Sequence, residues 1–226
     1  MTPAGASLRI VVGTWRSPGH PAAGGAELFA WEVARGLAAA GHDVTLIGGR
    51  APGQARQERR EGVRLLRRGG LWTAYPRMWW YLLTRRRSYD AVVDCQSGLS
   101  MMAPLFAGDR PVVHVTHHVH QEQFGMYFPR PVAALGRWLE GPIARRVYRH
   151  TITAAVSPST ADEMRQRLRW LGPIEVVHNG TPQPTGTGER SRLPLVLVLG
   201  RLVRHKRVPA IVDAMPLVLR RRPDAR

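Results

Sequence analysis

Short apolar runs rich in β-branched residues recur along this chain with helical patterns between them, and that alternation limits the fold more than any other feature. The runs are Leu8–Val12, Val44–Ile47, Val63–Leu66, Ala91–Asp94, Val112–Thr116, Ile152–Val156, Ile174–Val177 and Leu195–Leu199. They are brief and mostly apolar, as parallel strands covered on both faces should be. A first helix is expected from Gly25 to Ala40, where Phe29, Val33 and Leu37 recur four residues apart and Gly41 supplies a stop. Val132, Leu135 and Leu139 mark another helix, which Gly141-Pro142 is expected to break or kink before Ile143–Tyr148. Pro158, after Ser157, opens a helix running to about Trp170. Repeated βα units imply a right-handed, doubly wound α/β sheet.

The texture changes over Thr181–Pro194, which is rich in Pro, Gly, Thr and charge with no apolar period. The expected organisation is a Rossmann-like domain over 1–182, a linker over 183–194, and the first βα unit of a second domain over 195–226. One strand and one helix cannot bury a core alone, so the second domain reads as truncated.

Composition narrows the function classes. The formal net charge is +17, and Lys206 is the single lysine. Such a field attracts phosphates, anionic lipid or nucleic acid, but no nucleic-acid-binding motif appears. The one cysteine, Cys95, excludes a disulfide framework and a Cys-based zinc site. No apolar run approaches the roughly 20 residues that span a bilayer, and the N-terminus lacks the pattern of a signal peptide. A cytoplasmic protein, soluble or peripheral on the inner face of a membrane, is expected.

Four segments carry candidate chemistry. The first βα junction, Gly13–Glu27, is a long Gly/Pro loop ending in Gly24-Gly25 at a helix start, where free N–H groups favour an anion. It is neither GxGxxG nor a P-loop. The fifth run leads into VHVTHHVHQEQF, placing His117 and His118 where a parallel strand meets its C-terminal loop. A metal reading would use His114, His118, His120 and Glu122, but no recognised ligand spacing appears, so no metal is expected. Arg201 and Lys206, on the loop leaving Leu195–Leu199, suit a diphosphate. Finally, Leu71–Arg87 is aromatic and basic. Between Arg50 and Ser88 eleven arginines face only Glu58 and Glu61, so Trp79, Trp80, Arg85, Arg86 and Arg87 are candidates for an anionic membrane surface.

With GGAELFAWEVARGLAAAGHDVTLI (24–47), YDAVVDCQSG (89–98), PVVHVTHHVH (111–120), AVSPSTADEMRQRL (155–168), VVHNGT (176–181) and LVLGRLVRHKRVPAIVDAMPLVLRRRPDA (197–225) in this order, the chain resembles glycosyltransferase family 4, retaining transferases of the GT-B fold. The resemblance implies two Rossmann-like domains facing across a cleft, the second binding a nucleotide sugar and the first an acceptor. It implies that Gly24 and Gly25 lie near the donor diphosphate, that Arg201 and Lys206 neutralise the leaving diphosphate without a metal, and that His117 stands beside the sugar. His118 takes that place if the register slips by one, and His118, His120 and Glu122 are acceptor-side candidates. Asn179-Gly180 would lie near the interdomain crossover. The reaction implied is transfer of a hexosyl-type sugar to a hydroxyl acceptor, a lipid-linked or cell-envelope glycan, with no cofactor. Arg207 stands where the family often has glycine, and the family's two-glutamate motif would lie beyond Arg226. Little or no turnover is therefore expected from residues 1–226 alone. A GT-B epimerase or phosphorylase, or a non-enzymatic basic module, are the alternatives.

Overall fold

The computed structural model describes residues 6–70, 72–181, 186, 191–200 and 202–226. Eight strands form one sheet: β1 (Arg9–Arg16), β2 (Asp43–Gly49), β3 (Gln57–Arg60), β4 (Val63–Arg67), β5 (Ala91–Gln96), β6 (Val112–Thr116), β7 (Ile152–Ala155) and β8 (Ile174–Val176). Their order across the sheet is β3-β4-β2-β1-β5-β6-β7-β8. All neighbours are parallel except β3 and β4. The expected doubly wound α/β sheet is thus present.

Alternation within the apolar strands builds a core on each face. Ile10, Val12, Val44, Leu46, Val63 and Leu65 pack under α1 (Gly25–Ala39) through Ala30, Trp31 and Ala34. Val11, Ile47, Leu66 and Val92 point the other way, against Ala74, Met78 and Leu82 of α2 (Ala74–Thr84). Gly41, at φ +92°, ends α1 in the left-handed region that glycine enters without a Cβ clash.

Beyond β6 come α3 (Gln121–Tyr127) and α4 (Arg130–Trp138), then α5 (Ala144–Val147) and α6 (Pro158–Arg167). Between α4 and α5 the chain does not break. It widens into a π turn, Leu139–Ile143, that carries Pro142 inside the helical path. A proline has no N–H to give the preceding turn, and the wider turn accommodates that loss.

Two further expectations are corrected. β3 (QERR) is wholly exposed and charged, so it has none of the apolar signal used to find strands; its pairing with β4 defines it. Leu195–Leu199 forms no strand. A parallel strand needs neighbours for its backbone groups. Here the described residues supply only Arg226, which accepts from Val196 N–H at 2.7 Å and donates to Pro194 O at 2.9 Å. Helix α7 (Val208–Arg221) follows as expected. Most of the linker lies outside the described residues.

Candidate functional site

In an open α/β sheet, ligands enter at the C-terminal ends of the strands where the strand order reverses. Here that point lies between β1 and β5, because the chain builds outward to β2 on one side of β1 and to β5 on the other. Thr14 at the end of β1 meets Ser97 just past β5, their hydroxyls 3.3 Å apart, and Ser97 Oγ also accepts from Trp15 N–H at 3.2 Å.

Gly24 and Gly25 stand above this point. Glu27 is buried in the first turn of α1 and accepts the Gly24 N–H at 2.7 Å, while Arg16 at the end of β1 pairs with its other oxygen at 3.4 Å. A side chain at Gly25 would meet nothing within 4 Å, so the turn opens to ligand there. Beside it runs an open cleft of about 550 Å³, bordered by Gly24, Glu27, Trp31 and Arg60.

His117 sits directly beneath the start of α1. Its half-buried ring meets the Phe29 ring edge-on, 4.9 Å between centroids. Thr160 Oγ1, near the start of α6, donates to the His117 carbonyl at 3.1 Å and fixes the loop. Among the described residues neither ring nitrogen meets a partner at hydrogen-bond geometry. Burial lowers the affinity of the ring for a proton, against the pull of the Gln96 backbone and the Glu27 carboxylate, so the ring is neutral near pH 7.

The loop continues into a pairing that sequence reading does not suggest. Glu140, buried on the π turn, accepts from His120 N–H at 2.7 Å, Gln96 Nε2 at 3.2 Å and Gln121 Nε2 at 2.8 Å, and lies 3.0 Å from His120 Nδ1. The carboxylate orients the imidazole. The exposed His118 ring lies 4.0 Å from that of His120, centroid to centroid. Arg16, Glu27, Gln96 and Glu140 thus join the site without having been read from the sequence. Only Glu27 carried a local signal, an acidic residue in the first turn of a helix.

Of the residues weighed for a metal, His118 and His120 stay adjacent, while His114 and Glu122 lie apart from them. His114 lies in the core against Tyr148 and Trp170, His120 is held by Glu140, and Glu122 is ion-paired with Arg167 at 2.8 Å. Among the described residues no group of three such side chains is gathered. Arg201 lies outside the described residues. Lys206 is exposed on a short turn whose Arg204 reaches Met126 O, near the end of α3, at 3.5 Å.

Of the surface candidates, Trp79 is corrected. It stacks on Phe106 at 5.0 Å and donates to Met101 O at 2.7 Å, because position 79 turns toward the loop after β5. Trp80 (70% exposed) and Trp72 (74%) face outward, with Leu83 and exposed Arg77, Arg85, Arg86 and Arg87 around them.

His114 yields a pH prediction. Burial pushes its pKa down to about 3, and its Nε2 finds no partner. Between that value and the usual 6.5 the unfolded chain holds the extra proton, so the contribution is intact above pH 6.5 and falls as pH drops, by about 1.4 kcal/mol per unit. Stability at pH 5 should be roughly 2 kcal/mol below that at pH 7.5. His114→Phe, which keeps the stack, should reduce the slope by about one proton; chemical denaturation across pH checks this, and an unchanged slope contradicts it.

The glycosyltransferase family 4 model matches residues 23–182, which take in α1, strands β2 to β8 and the helices between them. The structure is similar to the crystal structure of Arabidopsis thaliana UGT89C1 complexed with UDP-L-rhamnose, with a TM-score of 0.54 at 11% identity. The match covers 95% of this chain and 63% of that one, so the chain spans less than two thirds of the protein it resembles. No curated protein matches the sequence. The chain belongs to glycosyltransferase family 4.

Proposed function

We propose that this chain forms the acceptor-side domain, and the start of the donor-side domain, of a retaining, metal-independent transferase that moves a hexosyl-type sugar from a nucleotide sugar to a hydroxyl acceptor. The observation that carries this is the packing of His117, just past β6, against Phe29 of α1, the helix that Gly24 and Gly25 open after β1. UDP-L-rhamnose in the similar plant protein supports a nucleotide-sugar donor.

In this reading the open α1 terminus faces the donor diphosphate, and Arg201 and Lys206 offset the charge that develops on it as the anomeric carbon exchanges diphosphate oxygen for acceptor oxygen. His117, neutral and held by Phe29 and Thr160, offers a ring nitrogen to the sugar. His120, oriented by Glu140, and His118 belong to the acceptor side.

The outward face of α2, with Trp72, Trp80, Leu83 and its arginines, suits an anionic membrane surface, which favours a lipid-linked or envelope-glycan acceptor. No helix among the described residues is long and apolar enough to cross a membrane.

Titration of the chain with UDP, GDP and ADP by calorimetry tests the donor side. One of the three should bind, and Lys206→Ala should weaken it about tenfold. Absence of binding by all three, or no effect of Lys206→Ala, contradicts the reading.

A further inference from the structure

Helix α4 is built inside out. Its inward positions are small: Ala133 and Gly136 are buried, and a Cβ at Gly136 would come within 2.6 Å of the Phe124 ring of α3. Its large apolar residues, Val132, Leu135 and Trp138, recur every third position on the opposite face and are exposed, Leu135 at 53% and Trp138 at 52%. A helix that serves only the core shows the reverse arrangement.

Among the described residues, the unpaired exposed charges near this face are cationic. Glu140 is buried and Glu122 is paired with Arg167, which leaves Arg130 at the start of α4 and Arg146 and Arg149 just beyond the π turn as its exposed charges. An apolar strip between cations suits the boundary of an anionic bilayer, where side chains of this kind enter the acyl region while arginines meet headgroups. A second copy of the chain fits poorly, because it would bring its own net charge of +17 to the same face.

Beneath this region, Phe106 stacks on Trp79 of α2, and Phe106, Leu139 and Ile143 pack against Met102, Ala144 and Tyr148, so α2 and the segment after α4 share a buried cluster; Leu105, next to Phe106, is exposed.

We propose that the exposed Val132–Leu135–Trp138 face of α4 docks on an anionic lipid bilayer and brings the histidine loop, which leads directly into α3, to the membrane surface. It extends the membrane reading of α2 to a second, separable element.

The test is cosedimentation of the chain with phosphatidylcholine vesicles, with and without phosphatidylglycerol, at about 0.1 M and about 0.5 M salt. Binding should require the anionic lipid and weaken at the higher salt. Leu135→Ser with Trp138→Ser should lower it at least roughly tenfold without changing the thermal midpoint, since both side chains lie outside the core. In the separate variant Trp72→Ser with Trp80→Ser, Trp138 is the one exposed tryptophan left, and brominated acyl chains should still quench its fluorescence. Unchanged vesicle binding by the α4 variant, or no quenching in the α2 variant, overturns the proposal. So does a dimer in gel filtration that the α4 variant converts to monomer. Vesicle binding needs no nucleotide, so these outcomes are separate from the donor titration.

Discussion

Asp94→Ala is expected to destabilise the protein by about 3–5 kcal/mol, lowering the melting temperature by roughly 10 °C. Asp94 is fully buried near the end of β5 and holds the loop that follows. Its oxygens accept the Met101 N–H at 3.0 Å, the Ala103 N–H at 3.1 Å and the Tyr148 hydroxyl. Burial pushes its pKa up and these three donors pull it back. Alanine strands two backbone N–H groups and a hydroxyl with no water to replace the carboxylate, which is the expensive direction of hydrogen-bond loss. Asp94→Asn keeps one acceptor oxygen and should lose less. The loop released carries Ser97, which ties β1 to β5 at the switch point, so the damage reaches the site. A melting temperature for Asp94→Ala within a degree or two of wild type contradicts this account of the loop.

Glu140→Ala is the second large effect, expected at about 2–4 kcal/mol. Four donor atoms from His120, Gln96 and Gln121 converge on this buried carboxylate; its removal strands the His120 N–H and Nδ1, while Gln96 Nε2 keeps Gly98 O at 3.0 Å and Gln121 Nε2 keeps Arg137 O at 3.2 Å. Gln96 also accepts from Thr116 Oγ1 at 3.2 Å, so the network joins the ends of β5 and β6 to the π turn. Alongside thermal melts, the ring nitrogens of His120 should report the change in NMR. The tautomer with the proton on Nδ1, set by the carboxylate, should give way to a mixture. If His120 keeps the same tautomer in the variant, Glu140 does not orient it.

The contrast between these two residues shows what was legible. Apolar, β-branched strands announce themselves by composition, so β1, β2 and β4 to β8 could be read to within a few residues. β3 could not, because QERR is defined by its neighbour rather than by its side chains. Leu195–Leu199 failed for the converse reason: it has the composition of a strand, and among the described residues it has no neighbouring strand. Pro142 reads as a breaker in any sequence, and only the packing around Glu140 shows it inside a π turn. At the site, Gly24, Gly25 and His117 were legible because glycine pairs at helix starts and polar residues at strand ends have local meaning. Gln96 and Glu140 were not, since the contact between them spans 44 residues. Trp79 and Trp80 are adjacent and chemically alike, and only the helix phase sends one to Phe106 and the other to solvent.

In the proposed reading, donor and acceptor meet at the ends of β1, β5 and β6. Amide hydrogen exchange of the chain, with and without the nucleoside diphosphate that binds in titration, tests it most directly. The account predicts slowed exchange at Gly25–Glu27, Ser97–Gly98 and His117–His120, with the N-terminal ends of the strands unchanged. Protection confined to α7 or the β3–β4 edge, or spread evenly over the sheet, would contradict it.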